Sequence, residues 1–262
     1  MAIIGRVESL WRYPVKSMRG EEVQRAFVAF AGIYGDRVYA FHDGGALKGF
    51  PYLTGRQQER MLLYKPMFRH PQSAINPPNL SEAESLSVGA TPLYGSVEEM
   101  MVEVETPTKS VLAIDDAALI AELSDGLGDG HAVSLVRSDR SLTDCRPVSI
   151  FSLQTVQQIG REAELTLDQR RFRANIYADL QILAFSENAL VGRRLGLGAK
   201  AVVAVIGLDP RCKMITLDPD TAEAKPEVLR VVAQRHGGNA GLFGAVLIEG
   251  VVGAGDKIDL LD

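Results

Sequence analysis

The chain has 262 residues, 46% of them apolar and 23% charged, and a formal net charge of −5. This length predicts one large domain or two small ones, and the ordinary composition excludes the disordered and collagen-like classes. The two cysteines, Cys145 and Cys212, are too few for a disulfide framework or a four-thiolate cluster, and the acidic balance disfavours general nucleic-acid binding.

Short strands separated by turns dominate the predicted structure, a pattern typical of a β-barrel or sandwich rather than of parallel βαβ units. In chain order the strand candidates are residues 2–11, 37–42, 61–64, 86–88, 101–104, 110–114, 132–137, 201–208, 214–217, 228–233, 245–249 and 257–261.

Two segments have the features of helices. Residues 115–123 begin with acidic residues and precede Gly126, while residues 152–164 begin at Ser152, a good N-cap, with apolar residues at near-helical spacing. Residues 227–235 are compatible with helix or strand, and their β-branched residues favour strand. The proline-rich residues 70–85 predict a loop, and the polar residues 138–143 predict a domain boundary.

No targeting or membrane segment is expected. Residues 1–10 lack a basic stretch followed by an apolar one, and nowhere do about 18 uncharged apolar residues run together. We therefore expect a cytoplasmic protein without a membrane anchor.

Cys212 is the residue whose surroundings most indicate chemistry. Arg211 and Lys213 flank it, and cationic neighbours favour the thiolate, a soft metal ligand. The alternative is a buried cysteine at a strand edge. Cys145 has one acidic and one basic neighbour and is expected to be structural.

Several basic residues lie beside predicted turns, and two interpretations of them stay open. They form either an anion pocket, since guanidinium groups match phosphate geometry, or ordinary solvated surface. These residues are Lys16, Arg19, Arg37, Arg56, Arg173 and Arg211. The four histidines are scattered and predict no metal site.

Segments in both halves of the chain resemble the MOSC domain family, nearest to the mitochondrial amidoxime-reducing component and its bacterial relatives. The resemblance recurs in order over nearly the whole chain. The segments are LWRYPVKSMRG at 10–20, GDR at 35–37, TGRQ at 54–57, FRANI at 172–176, RCKMITLDPDT at 211–221, LFG at 242–244 and residues 252–256.

The resemblance implies a β-rich α+β fold with two β-barrel-like domains and a few helices. An N-terminal barrel would span residues 1–137 and the MOSC domain residues 138–262, with a cofactor in the cleft between them. Three residues depart from the family pattern: Ala174 replaces the usual Pro, Ala222 replaces the usual Gly, and Cys145 lies where Ser, Thr or Gly is common.

The resemblance also implies a molybdenum cofactor (Mo-molybdopterin), with Cys212 as catalytic metal ligand. Lys16 and Ser17 would bind the pterin phosphate region, and Asn175 would lie nearby. The arginines that would hold the anionic cofactor are Arg37, Arg173 and Arg211.

The implied activity is reduction of small N-hydroxylated or N-oxygenated compounds. The electrons would come from a separate electron-transfer protein or reductase, because this sequence has no flavin, haem or iron–sulfur motif. Two alternatives stay open: a non-catalytic cofactor carrier or sulfur-transfer protein, and an anion-binding barrel without metal.

Overall fold

The computed structural model describes residues 2–46, 49–75, 77–85 and 95–261, and their secondary structure is mainly β. The strands are β1 (Ala2–Arg12), β2 (Glu21–Val23), β3 (Arg25–Ala29), β4 (Gly32–Ile33), β5 (Tyr39–Asp43), β6 (Lys65–Phe68), β7 (Val102–Glu105), β8 (Val111–Ala113), β9 (Val133–Arg137), β10 (Val148–Ser152), β11 (Ile176–Leu180), β12 (Arg194–Leu197), β13 (Ala201–Pro210), β14 (Asn239–Ile248), β15 (Gly250–Gly253) and β16 (Lys257–Leu260).

Seven strands close into a barrel, to which β2 is added at the edge of β1. The strand order is β11-β10-β14-β13-β12-β16-β1, and β1 also pairs with β11, which closes the ring. The long first strand therefore belongs to the same barrel as the second half of the chain. Closure removes free strand edges, and the β-rich class predicted from the sequence is confirmed.

Alternating burial fills this barrel with small and branched side chains. Along β13, Ala201, Val203 and Val205 are buried while the residues between them are more exposed. They pack in one core with Leu10 of β1 and Ile176 of β11, the two strands that close the ring. Full burial of each such Val, Ile or Leu contributes about 1.5–3 kcal/mol, so the core is the main source of barrel stability.

Three smaller sheets surround a second core. They consist of β15-β3-β4, of β5-β9 and of β6-β7-β8. Fully buried Phe41, Leu53 and Met61 lie at their centre. Strand β15, from the C-terminal part of the chain, pairs with β3, and β1, from the N-terminal part, pairs with β11. Each of the two cores therefore contains a strand from the other side of the boundary predicted at 138–143. That boundary stays a prediction.

The α-helices are α1 (Pro71–Ile75), α2 (Leu80–Ser85), α3 (Ala117–Ser124), α4 (Leu153–Ala163) and α5 (Pro226–Arg235). The predicted α3 and α4 are confirmed, and the side chains of Asp116 and Ser152 cap them by accepting hydrogen bonds from the first-turn N–H groups. In the described part of the chain, each helix is too short or too polar to cross a bilayer.

The strand predicted over 228–233 is wrong, because these residues form α5. Pro226 occupies the first turn and Glu227 complements the helix dipole there. Val228 and Val232, four residues apart, are then buried on one face against α4. Tertiary burial at helical spacing overrides the strand preference of valine.

Three further predictions need correction. The apolar segments 61–64 and 214–217 are not strands, because 3₁₀ turns occupy Glu59–Leu63 and Lys213–Thr216 instead. Residues 70–85 are not a plain loop, since proline at a first helical position permits the short α1. The strand predicted at 86–88 lies outside the described residues.

Candidate functional site

A cleft of about 140 Å³ lies where β1 and β13 end and where β11 begins. It brings together every residue that the sequence analysis assigned to the cofactor site, from both halves of the chain: Lys16, Ser17, Arg37, Arg173, Asn175, Arg211 and Cys212. Their roles stay predictions, but their convergence is a property of the fold.

Lys16 and Ser17 lie in the turn that follows β1. The N–H of Lys16 donates to the carbonyl of Tyr39, which fixes this turn against β5, and Ser17 has a left-handed backbone, with φ of 65°. The buried Lys16 ammonium donates to the carbonyl of Leu142 (2.8 Å) and forms an ion pair with Asp144. Burial lowers the pKa of Lys16, and Asp144 opposes this effect.

Two guanidinium groups lie against the ring of the buried Tyr13. Their carbon atoms are 4.7 Å (Arg37) and 4.3 Å (Arg173) from its centroid. Arg37 pairs with Asp36 at 2.5 Å, whereas Arg173 donates to the carbonyl of Met18 at 2.8 Å. Burial and, to a smaller extent, Arg37 lower the pKa of Arg173 to about 10, so this side chain remains cationic at neutral pH.

Arg211 is a buried cation at the end of β13. Its Nε donates to the carbonyl of Ala240 (2.7 Å), and its Nη1 donates to the carbonyl of Phe172 (2.8 Å). Nη2 lies 2.5 Å from Asp209 Oδ2, but in the described structure it makes no hydrogen bond of acceptable angle. Burial, opposed by Arg211, raises the pKa of Asp209 to about 6.

Cys212 follows these residues in an extended conformation and begins a 3₁₀ turn, with its thiol partly exposed in the cleft. The cations that flank it in sequence are both paired. Arg211 faces Asp209, and Lys213 points to Glu59, with a 2.7 Å ion pair. The argument from flanking charges is therefore weaker in the structure than in the sequence. The thiol does lie in the cleft, and its role as a metal ligand stays a prediction.

Asn175 is a buried link between three strands. Its Oδ1 accepts from the N–H (3.2 Å) and the hydroxyl (3.0 Å) of Ser149, and its Nδ2 donates to the carbonyl of Trp11 at 3.3 Å. Since protein groups use these atoms, Asn175 holds β1, β10 and β11 together at the cleft.

The fold adds residues that sequence reasoning missed or left undecided. Asp144 and Asp209 provide carboxylates inside the cleft, while the exposed Cys145 and Arg146 lie on its wall. They lie next to residues that the sequence analysis singled out, but only the tertiary structure shows which cation each carboxylate faces.

Five of the six basic residues noted beside turns line the cleft, namely Lys16, Arg37, Arg56, Arg173 and Arg211. The sixth, Arg19, pairs with Asp220 at 2.9 Å outside it. This distribution favours the anion-pocket interpretation over solvated surface.

The histidines lie elsewhere. His131 contacts Asp43 (2.8 Å) and His236 contacts Glu162 (2.7 Å), both away from the residues that line the cleft. Within the described residues there is no group of three or more His, Cys, Asp or Glu side chains arranged to hold a metal ion.

Two family models match the chain, one in each half. The family model described as the MOSC N-terminal beta barrel domain matches residues 4–119, and the MOSC domain model matches residues 137–259. No curated protein matched the chain.

Matches to solved structures were found at low sequence identity. The YuaD protein from Bacillus subtilis is 15% identical over 97% of this chain and 93% of its own, with a TM-score of 0.47. YiiM from Geobacillus stearothermophilus is 18% identical over 45% of this chain, with a TM-score of 0.36; YiiM from Escherichia coli is 19% identical over 45%, with a TM-score of 0.34. The match spans 55% of each YiiM chain.

Proposed function

Because this chain belongs to the MOSC family, with both its N-terminal β-barrel domain and its MOSC domain, we propose that its cleft binds a molybdenum cofactor. We further propose that the loaded protein reduces N-hydroxylated or N-oxygenated compounds with electrons from a separate protein. MOSC domains are associated with this cofactor in general. The observation that carries the proposal is the convergence of the partly exposed Cys212 with the basic side chains of Lys16, Arg173 and Arg211 in one cleft.

The residues present fit the chemistry of the cofactor, which combines soft sulfur ligation of a metal with a phosphate group. A cysteine thiolate is a suitable soft ligand, and guanidinium groups bind phosphate through paired N–H donors. Arg173 has no carboxylate partner among the described residues, and Arg211 has a buried N–H that lacks a well-aligned acceptor. Such donors leave room for an added anion.

When bound, the cofactor would supply the two-electron chemistry that an N–O bond reduction requires. The chain would contribute the Cys212 ligand, and Lys16, Arg173 and Arg211 would hold the anionic part. Asp209 lines the same cleft, and its raised pKa of about 6 lets its carboxyl group hold a proton under mildly acidic conditions. It is our candidate for storing a proton beside the substrate.

The test uses protein purified from cells that make the cofactor. We expect about one molybdenum per chain by elemental analysis and turnover of a panel of amidoximes and hydroxylamines with an artificial electron donor. Cys212→Ser should lose both molybdenum and turnover, while Cys145→Ser, the matched control in the same cleft, keeps its molybdenum. Molybdenum far below stoichiometry in the wild type, or full loading and activity of Cys212→Ser, contradicts the proposal.

A carrier or sulfur-transfer role is the second candidate, and the presence of both cysteines in one cleft favours it as the alternative. It predicts stoichiometric cofactor without turnover across the whole panel. The redox partner and a cytoplasmic location stay predictions.

A further inference from the structure

Most cations of the cleft are neutralised by a carboxylate of the chain itself. The pairs are Lys16–Asp144, Arg37–Asp36, Arg171–Asp218 and Arg211–Asp209. Within the described residues, three arginines of the cleft lack such a partner: Arg56, Arg146 and Arg173. Arg173 and Arg56 are both partly exposed, and Arg146 is exposed. Since the proposed function already assigns Arg173 to the cofactor, Arg56 and Arg146 are the two uncompensated guanidinium groups left over.

Arg56 is held in place without being neutralised. Its guanidinium lies 4.2 Å from the centroid of the Phe50 ring. Its Nε donates to the hydroxyl of Thr54 at 3.2 Å, and the same hydroxyl accepts from its backbone N–H at 3.3 Å. An aromatic face and a hydroxyl orient a guanidinium but leave its charge available for an anion.

The loop that carries Arg56 rests on the turn that follows Cys212. Lys213 Nζ donates to the carbonyl of Arg56 at 3.2 Å and also pairs with Glu59. Gly55 packs so closely on this turn that an added Cβ would lie 2.8 Å from Met214 Sδ. The position of Arg56 relative to Cys212 is thus fixed by contacts with the two residues that follow the cysteine, Lys213 and Met214.

Arg146 approaches the same cleft from the other half of the chain. It follows Cys145 in the segment before β10 and is exposed, and we find no ion pair for it in the described part of the chain. The chain as a whole is acidic, so Arg56 and Arg146 give this part of the surface a local positive charge that would attract anions.

We propose that Arg56 and Arg146 form a substrate subsite that binds a carboxylate group. The preferred substrates would then be N-hydroxylated compounds that also carry a carboxylate, with the N–O group directed toward Cys212. Guanidinium groups bind carboxylates with two parallel hydrogen bonds, which fixes orientation as well as charge. This inference rests on the proposed function and specifies its substrate class.

The test compares benzamidoxime with 4-carboxybenzamidoxime on the molybdenum-loaded protein. We expect kcat/KM to favour the carboxylate compound by about threefold to tenfold, as expected for a charge-assisted pair that stays partly exposed to solvent. Arg56→Gln and Arg146→Gln should each bring this ratio toward one. Arg56→Lys should recover only part of it, because an ammonium cannot form the paired contact. Arg230→Gln, which removes an exposed arginine of α5, is the charge-matched control and should keep the wild-type ratio.

Calorimetric binding of both compounds, without an electron donor, separates the two proposals. If the wild type binds the carboxylate compound more tightly and Arg56→Gln abolishes this preference, the subsite is supported. This holds even if neither compound is turned over, because absence of turnover would count against the reductase only. The subsite is overturned if the wild type shows no preference or if both variants keep it. It is also overturned if Arg56→Gln loses molybdenum, since Arg56 would then hold the cofactor.

Discussion

Lys16 and Asp144, which are 128 residues apart in the chain, form an ion pair that joins the turn after β1 to the segment before β10. The lysine side chain is 6% exposed and the aspartate side chain 46%. The pair therefore fixes one wall of the cleft to the other while one partner remains accessible to water.

Asp144→Asn should destabilise the protein by about 1–2 kcal/mol, because a buried ammonium loses its charge partner but keeps the Leu142 carbonyl. Urea unfolding at neutral pH measures the change. The control is Asp139→Asn, which removes the carboxylate that pairs with Arg137 in a more exposed ion pair. It should lower the free energy of unfolding by less than about 1 kcal/mol. Equal costs for the two substitutions would mean that burial of Lys16 has no energetic effect.

Arg211→Met should leave the Asp209 carboxylate buried without its cation. We expect the double variant Asp209→Asn with Arg211→Met to be more stable than Arg211→Met alone by about 1–3 kcal/mol at pH 8. Both variants lack the hydrogen bonds to Phe172 and Ala240, so their difference isolates the carboxylate. Chemical denaturation of the two variants measures the difference in their free energies of unfolding. If Asp209→Asn adds no stability to Arg211→Met, the Asp209 carboxylate does not act as an uncompensated buried charge.

Gly241→Ala should disturb the guanidinium of Arg211 directly. Gly241 has φ of 82°, and an added Cβ would lie 2.6 Å from the Phe151 ring and 3.0 Å from Arg211 Nη2. We expect a cost of about 2–4 kcal/mol from strain and overpacking together. Gly238→Ala, at φ of 78° with no heavy atom within 4 Å, should show the strain alone, about 1 kcal/mol. Thermal unfolding of both variants tests whether packing adds to strain.

Ala222→Gly should stabilise the protein by about 0.5–1 kcal/mol. The family pattern has glycine here, and Ala222 adopts a left-handed conformation with φ of 60°, which costs an L-residue with a Cβ about 1–2 kcal/mol. The greater flexibility of glycine in the unfolded chain cancels part of the gain. A midpoint of denaturation equal to or below that of the wild type would show that the turn accommodates alanine without strain.

Glu187→Gln should change how stability depends on pH. Burial raises the pKa of Glu187 despite a hydrogen bond from Thr155, and its Oε2 is buried without a partner among the described residues. A carboxyl group with a raised folded-state pKa stabilises the fold below its ordinary pKa of about 4.3, and this contribution is lost as pH rises through the raised value.

The stability of the wild type relative to Glu187→Gln should therefore fall as pH increases from about 4.5 to 8. Urea denaturation of both proteins across this range measures the difference. Parallel pH profiles would show that Glu187 titrates normally.

Much of the strand pattern follows from local sequence. Alternating apolar residues and Gly or Pro turns predicted β1, β9 and β13, and the capping residues Asp116 and Ser152 predicted two helices. Local preference failed at 226–235 and at 213–216, where burial against other elements selects helical turns for β-branched and apolar residues. Short strands such as β10 and β11 lack a clear alternation because both of their faces are buried.

The sequence by itself determined the candidate residues of the cleft, since the motifs that contain Lys16, Arg173 and Cys212 are continuous segments. Only the tertiary structure decided how these segments meet. Closure of the barrel by β1 brings residues from the two ends of the chain together, and folding pairs some cations with carboxylates while leaving Arg56 and Arg146 unpaired. The physical reason is that backbone preference and side-chain type act locally, whereas the partner of a charge depends on which distant strands close the core.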